Sequence, residues 1–275
     1  MSMITISRQL GSLGTEIARE VAEKLNYEYV DKEKMGKIVA NFGFGMLEVE
    51  KFDEKKPPFW DSFSFQRTNF LHAIQEAIYD FARKGQVVII GRGGQVLLRN
   101  LPGVLHVRIF APFELRVKRL VWSKRADEKY AVRMLRQSDQ DSAGYIQSFF
   151  HVDWDEASLY DLLINTENLS QTTAVQLIID SVHSREIQEG VGKRKEKLVE
   201  LALVQKAEDR LMSILGSDRH HVEVRVEKGV VFLKGAVTSD MLKEECERAV
   251  AALEGVEQVE NQLAVAQYPV SGYNI

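Results

Sequence analysis

The stretch that decides the fold is Met3–Leu25, which reads MITISRQLGSLGTEIAREVAEKL. Residues 3–7 form a β-branched run that suits a buried strand. After two glycines and a serine, Ile17, Val21 and Leu25 recur four residues apart, the spacing of one apolar helix face. A strand, a glycine-bearing loop and a helix can hold a phosphate, because the N–H groups of the loop and of the helix N-terminus point at the anion. This stretch alone leaves a phosphate site and a plain strand-to-helix turn equally open.

The loop departs from the full P-loop pattern, G-x-x-x-x-G-K-[ST]. If Thr15 takes the final hydroxyl position, Gly14 stands at the lysine and Arg8 at the first glycine. The hydroxyl that would bind Mg²⁺ is therefore present, and the lysine that would bind phosphate is missing.

The composition is that of an ordinary globular protein with about two domains. The 275 residues are 45% hydrophobic and 28% charged, which allows a sizeable core. A formal net charge of −4 gives no sign of a nucleic-acid surface, so no nucleic-acid partner is expected. The single cysteine, Cys246, excludes an intrachain disulfide and is expected to be a small buried apolar group.

Targeting and membrane signals are not visible in the sequence. The chain opens directly on its first predicted strand, without the basic and apolar regions of a signal peptide. No run approaches the roughly 18 apolar residues of a membrane span. We therefore expect no transmembrane segment and a cytoplasmic location.

Strands and helices alternate from residue 3 to residue 184. The predicted strands are 3–7, 27–30, 86–90, 104–110 and 159–165, and the predicted helices are 15–25, 32–40, 63–84, 112–123, 127–149 and 171–184. This alternation predicts a doubly wound parallel α/β domain, whose ligands bind at the carboxyl ends of strands. The loops at 8–14, 31 and 91–94 should share that rim. The glycine- and proline-bearing stretch 41–62 is either a lid or binding loop or a partly ordered surface excursion.

A different pattern begins after a charged, glycine-bearing segment that we interpret as a linker, 189–196. A helix at 197–215, a hairpin of strands at 221–226 and 230–237, a helix at 241–253 and a strand at 256–265 predict a small α+β module. The predicted domains are therefore 1–188 and 197–268.

Several motifs of the first domain occur in an order typical of one family. They are Ile6-Ser7-Arg8 with Gly11-Ser12 and Gly14, Tyr29-Val30-Asp31, Val88–Arg92, Asp139 with Tyr145, and Ser158–Thr166. On these motifs, residues 3 to about 184 resemble the cytidylate kinase-like family, a divergent branch of the P-loop nucleoside monophosphate kinases. The resemblance implies a P-loop kinase-type sheet, ATP and Mg²⁺ as cofactors, and phosphoryl transfer to a nucleoside monophosphate or related small molecule.

The resemblance also assigns site residues. It implies that the donor phosphates are surrounded by Arg8, Gly11, Ser12, Leu13, Gly14 and Thr15, and that Thr15 holds Mg²⁺. It also implies that Asp31 binds the acceptor or lies near the metal, and that Arg92 binds the acceptor phosphate. The lid arginines Arg116, Arg119, Arg133 or Arg136 would close over the transferring group. Phosphoryl transfer needs positive charge rather than a nucleophilic side chain, and the planar fork of arginine matches phosphate oxygens.

The departures from the family leave alternatives open. The branch usually has glycine at the place of Leu13 and arginine at that of Thr15, and Asp141 stands where a lid arginine is common. Arg92 could instead pair with a carboxylate, Asp31 could cap the next helix, and each lid arginine could be a surface residue. The alternative function is a catalytically inactive nucleotide-binding sensor.

The second module carries a resemblance of its own. Its hairpin, Val222–Val237, and the closing Gly255-Val256-Glu257-Gln258-Val259-Glu260-Asn261 resemble a BON domain. This resemblance implies an interaction module with a protein or phospholipid partner. From residue 195 onward, 10 basic residues stand against 14 acidic ones, a balance that an anionic bilayer repels.

Overall fold

The computed structural model describes residues 2–40, 64–125, 127–216 and 222–266, with side chains described outside 64–70. The predicted lid or binding loop at 41–62 lies outside these residues. The chain divides into two compact units, Met1–Arg194 and Lys195–Ile275. No helix in the described ranges is long and apolar enough to cross a membrane.

The first unit contains a five-stranded parallel sheet with the order β2-β3-β1-β4-β5. Its strands are β1 Met3–Arg8, β2 Glu28–Val30, β3 Val87–Ile90, β4 Val104–Phe110 and β5 Leu162–Asn165. The predicted doubly wound sheet is confirmed. The last strand begins three residues later than predicted, because Ala157–Leu159 form a 3₁₀ turn.

Helices connect these strands. They are α1 Gly14–Leu25, α2 Lys32–Ala40, α3 Ser64–Lys84, α4 Gly94–Leu97, α5 Phe113–Lys124, α6 Glu128–Phe150, α7 Gln171–Val182 and α8 Arg185–Leu215. Apolar residues of α1 and α7 pack in one core with alternate residues of β1, β3, β4 and β5. On the opposite face, Gly94 of α4 lies beside Thr5 of β1. Helices therefore cover both faces, as the apolar strands require.

The topology gathers the predicted site loops on one rim. The glycine loop follows β1, Asp31 follows β2, and Gly91–Gly94 follows β3, and these three strands are parallel neighbours. Because parallel strands end at the same edge of a sheet, the three loops lie together, as predicted.

The segment predicted as a linker, 189–196, is helical and lies within α8. Its glycine at position 190 marks close packing, because a Cβ added there would lie 2.4 Å from the backbone N of Gly103. Arg194 is also buried, and its Nη1 donates to the Gly103 carbonyl at 3.3 Å. Burial lowers the pKa of this guanidinium. Gly190 therefore permits a close approach of two backbones. From the sequence alone, a glycine in this role looks the same as a glycine that makes a linker flexible. The domain limits stay a prediction.

The second unit has its own three-stranded sheet, with the order β6-β7-β8. Its elements after α8 are β6 Val222–Glu227, β7 Val230–Val237, α9 Asp240–Ala251 and β8 Gln258–Val265. β6 and β7 form the predicted antiparallel hairpin, and β8 pairs with β7 in parallel. Cys246 is fully buried in the core of this unit, as expected, and burial raises the pKa of its thiol.

Candidate active site

The loop after β1 is held in shape by its own hydrogen bonds. The Ser12 hydroxyl is buried and donates to the carbonyls of Gln9 at 2.7 Å and Ile109 at 3.2 Å. Gly11 and Leu13 both have a left-handed backbone, with φ of 78° and 65°. Such a conformation is strained for leucine, and strained residues cluster at functional sites. The two hydrogen bonds of the Ser12 hydroxyl therefore stabilise the conformation of the loop. Ser12 is not among the residues that line the two clefts described below.

The first helix begins directly after this loop. Leu13 is its N-cap and makes no side-chain capping bond. The N–H groups of Gly14, Thr15 and Glu16 form the first turn and have no acceptor within the helix. They carry the positive end of the helix dipole, which favours a bound anion.

A cleft of about 400 Å³ opens in front of this turn. Its lining residues are Arg8, Gln9, Leu10, Gly11, Leu13, Gly14, Thr15, Glu16, Arg119, Leu120, Trp122, Ser123, Lys124, Ser138 and Ser142. Three of these side chains are cationic and one is a carboxylate. We refer to this cavity as the loop cleft.

A second cleft of about 350 Å³ lies between α1 and α2. Its lining residues are Arg8, Thr15, Arg19, Tyr29, Asp31, Lys32, Glu33, Gly36, Lys37 and Ile90. We refer to it as the α2 cleft. Asp31 lines this cleft, and its Oδ1 also accepts the Lys34 N–H at 3.0 Å. Both readings of Asp31, as a helix cap and as a site residue, are therefore compatible with its position.

Arg92 lies beside the same rim in a conformation that is unusual for a non-glycine residue. Its φ is 60°, and the glycines on both sides are also left-handed. Although its chain neighbours are glycines without side chains, the Arg92 side chain is only 3% exposed. It lines a small cavity of about 20 Å³ together with Arg8, Tyr145 and Trp154. The last turns of α6 and the segment after it supply this cover.

Two of the predicted lid arginines, Arg116 and Arg119, donate hydrogen bonds to carbonyl groups of the glycine loop, at Leu10 and Gly11 respectively. Arg116 is buried and forms a bidentate pair with Asp139, with distances of 3.0 and 2.8 Å, and its Nη1 donates to the Leu10 carbonyl at 3.3 Å. Arg119 lines the loop cleft, while its guanidinium donates to the Thr166 carbonyl at 2.7 Å and to the Thr166 hydroxyl at 2.9 Å. Burial lowers the pKa of Arg119, and the nearby Glu16 carboxylate opposes that shift.

The other two lie elsewhere. Arg133 and Arg136 are exposed on α6 and are not among the residues that line the three cavities described. The Arg136 guanidinium instead lies 5.9 Å from the centre of the Phe113 ring. Their catalytic role stays a prediction.

Sequence reasoning missed a buried arginine at the same rim. Arg108 of β4 is 3% exposed and donates to the Trp154 carbonyl at 3.0 Å and to the Tyr160 hydroxyl at 3.3 Å. It also pairs with Asp155 and lies 4.2 Å from the Trp154 ring centre. An arginine inside the apolar run VLHVRIF was the available signal, because a buried charge needs partners.

The fold and the rim define the class of protein. A five-stranded parallel sheet with helices on both faces, and a glycine loop that opens a helix beside a cationic cleft, is the arrangement of a P-loop kinase. The chain belongs to the cytidylate kinase-like family, whose model matches residues 3–168. A BON domain model matches residues 204–267.

Relatives of known name support this assignment. The chain is 26% identical to a cytidylate kinase of Pyrobaculum islandicum over 186 residues, which cover 66% of this chain and 93% of that protein. It is also 26% identical to a cytidylate kinase of Archaeoglobus fulgidus, over 67% of this chain and 96% of that protein. The crystal structure of an uncharacterized protein from Eubacterium ventriosum shares the fold, with a TM-score of 0.55 and 22% identity over 67% of this chain and all of that chain.

Proposed function

We propose that the first unit transfers a phosphoryl group from ATP to a nucleoside monophosphate or a related small molecule. The observation that carries this proposal is that the loop cleft and the α2 cleft adjoin at Arg8 and Thr15, which line both. A phosphoryl-transfer enzyme needs two sites whose phosphates meet, and most of its catalysis is positioning and positive charge.

The loop cleft suits the donor. Its inner end consists of the glycine loop and the first turn of α1, which favour the triphosphate. Trp122, which is 86% exposed, and Lys124 also line this cleft. An exposed indole offers a flat surface on which a nucleobase can stack, an interaction worth about 1–3 kcal/mol. We therefore place ATP here, with its base against Trp122.

The α2 cleft suits the acceptor. Lys37 pairs with Glu33 at 2.8 Å, so the excess of positive charge over Asp31 comes from Arg8, Arg19 and Lys32. Arg19 lies over the Tyr29 ring at 5.5 Å. In the proposed step, an oxygen of the acceptor phosphate bonds to the γ-phosphorus of ATP. The bond from that phosphorus to the β,γ-bridging oxygen breaks, and its electron pair remains on ADP. Arginine and lysine side chains of both clefts stabilise the charge on the moving group.

Two residues of the α2 cleft fit Mg²⁺, and one of them, Thr15, also lines the loop cleft. Thr15 and Asp31 supply hard oxygen donors, which Mg²⁺ prefers. Within the described ranges no group of three or more His, Cys, Asp or Glu side chains forms a metal site. The ion would therefore be held mainly by phosphates and water, as is usual for Mg²⁺ in nucleotide enzymes. When bound, it neutralises charge on the transferring phosphate.

The test is a coupled ADP-release assay with ATP, Mg²⁺ and a panel of nucleoside monophosphates, beginning with CMP, together with calorimetry of ATP binding. We expect turnover with at least one acceptor. Binding of ATP without turnover on any acceptor would point to the nucleotide-sensor alternative, which the kinase relatives do not favour. The absence of ATP binding would contradict both functions.

For the second unit, the BON domain match supports an interaction role. We propose that this unit binds another macromolecule. Its excess of acidic residues makes a protein partner better suited than an anionic lipid surface.

A further inference from the structure

We infer that Arg8 is the phosphate-binding cation of this loop, in place of the P-loop lysine, and that it contacts the phosphates in both clefts. The inference rests on the proposed function and assigns the residue that joins the two halves of the site.

The first argument concerns space. A Cβ added to Gly14 would lie 2.5 Å from the Arg8 Cβ, 3.0 Å from the Arg8 Cγ and 3.2 Å from the Ser12 hydroxyl oxygen. Carbon atoms in a packed protein do not approach this closely. The stem of Arg8 therefore fills the volume that any side chain at position 14 requires. In this conformation the loop can carry a long cation at position 8 or at position 14, and not at both.

The same contact explains the residue type that the P-loop pattern requires six residues before its lysine. That position, occupied here by Arg8, is a glycine in the pattern. A glycine there leaves room for the lysine stem, whereas the arginine here leaves room only for Gly14. The two departures of this loop are thus one coupled exchange, in which the cation has moved from the helix start to the strand end.

The second argument concerns position. Arg8 is the last residue of β1, the central strand of the sheet. Its side chain lines the loop cleft, the α2 cleft and the small cavity beside Arg92, and no other described residue lines all three. A phosphoryl group that passes between the clefts therefore remains beside Arg8. The planar fork can donate to two phosphate oxygens at once, which a lysine ammonium cannot do in the same fixed geometry.

Calorimetry with two probes, AMP-PNP and inorganic tripolyphosphate, both with Mg²⁺, separates this role from general support of the cleft. For Arg8→Gly we expect both probes to bind about 10- to 100-fold more weakly, because a charged hydrogen-bond donor to phosphate is lost. The matched control is Trp122→Ala, in the same cleft. It should weaken AMP-PNP and leave tripolyphosphate unchanged, because the latter has no base.

The outcomes are distinct. Equal tripolyphosphate binding by the wild type and Arg8→Gly would overturn the inference. The proposed function would still stand in that case, provided that the wild type binds AMP-PNP. If the wild type binds neither probe, the proposed function fails and the inference fails with it. The thermal midpoint of each variant shows whether it is folded under the binding conditions.

The exchange itself is tested by the double variant Arg8→Gly/Gly14→Lys. We expect it to bind tripolyphosphate at least 10-fold more tightly than Arg8→Gly, because the lysine occupies the vacated volume. Gly14→Ala in the wild-type background should lower the thermal midpoint, since its Cβ meets the Arg8 stem. A double variant no better than Arg8→Gly, or a Gly14→Ala variant as stable as the wild type, would overturn the exchange.

Discussion

Arg92 combines burial with a left-handed backbone, and a non-glycine residue keeps such a conformation only when its surroundings impose it. The family resemblance implies that Arg92 holds the acceptor phosphate, although Arg92 lines the small cavity beside Arg8 and not the α2 cleft itself. On that role, Arg92→Lys should raise the KM for the best acceptor about 10- to 100-fold, since a lysine cannot reproduce a bidentate phosphate contact. The measurement is the initial rate of ADP release against acceptor concentration.

Arg108→Lys is the matched control for this prediction. Arg108 is equally buried, and its guanidinium is engaged with the Trp154 carbonyl and the Tyr160 hydroxyl. This variant should lower the thermal midpoint more than Arg92→Lys and change the acceptor KM less. If Arg92→Lys lowers the midpoint as much as Arg108→Lys, with an unchanged KM, then Arg92 braces the sheet rim instead.

Among single residues, the sequence could identify those whose position follows from the strand–loop–helix pattern. Arg8, Gly14 and Thr15 were placed at the phosphate loop by spacing, and the structure brings them to one cleft. Trp122 was not predicted to line this cleft, because its position there depends on α5 lying beside the loop. The close contact of Arg8 with Gly14 could not be predicted either, because a sequence pattern gives the spacing of residues and not the space between their side chains.

Among elements, the five strands were predictable because buried parallel strands are continuous apolar runs. The helical start of α8 was not predictable, because a segment of charged residues with two glycines is equally typical of a linker and of a polar helix. Only the approach of Gly190 to Gly103 shows that this turn packs against the first unit's own loop.

The helical start of α8 gives a prediction about two glycines. Gly190→Ala should destabilise the first unit by about 1–3 kcal/mol, because its Cβ would meet the Gly103 backbone at 2.4 Å. Gly192 lies in the same helix with nothing within 4 Å of an added Cβ. Gly192→Ala should therefore stabilise by about 0.5–1 kcal/mol through helix propensity.

Denaturant unfolding followed by tryptophan fluorescence measures both changes. The three tryptophans, Trp60, Trp122 and Trp154, all precede residue 195, so the signal reports on the first unit. Similar midpoints for both variants would contradict the close packing and restore the interpretation of this segment as a linker.

At the scale of the whole molecule, the two units have separate apolar cores. The core around β1 and β4 draws its residues from before position 188, and the core of the second unit draws its own from position 203 onward. Separate cores allow separate folding, and they also allow the partner of the second unit to be sought with that unit alone.

The last prediction is therefore that a fragment of residues 195–275 folds on its own. Leu203, Ala207, Leu211 and Leu215 form an apolar stripe four residues apart on α8, and all four are buried in the core of this unit. We expect a cooperative thermal transition by far-ultraviolet circular dichroism, since a small domain with one core unfolds in a single step.

Residues 1–194 should retain the tryptophan-detected midpoint of the full chain. In co-sedimentation the folded fragment should leave anionic vesicles unbound, because its net charge is negative. A fragment that is unfolded alone, while the full chain is stable, would show that the second core needs residues before 195.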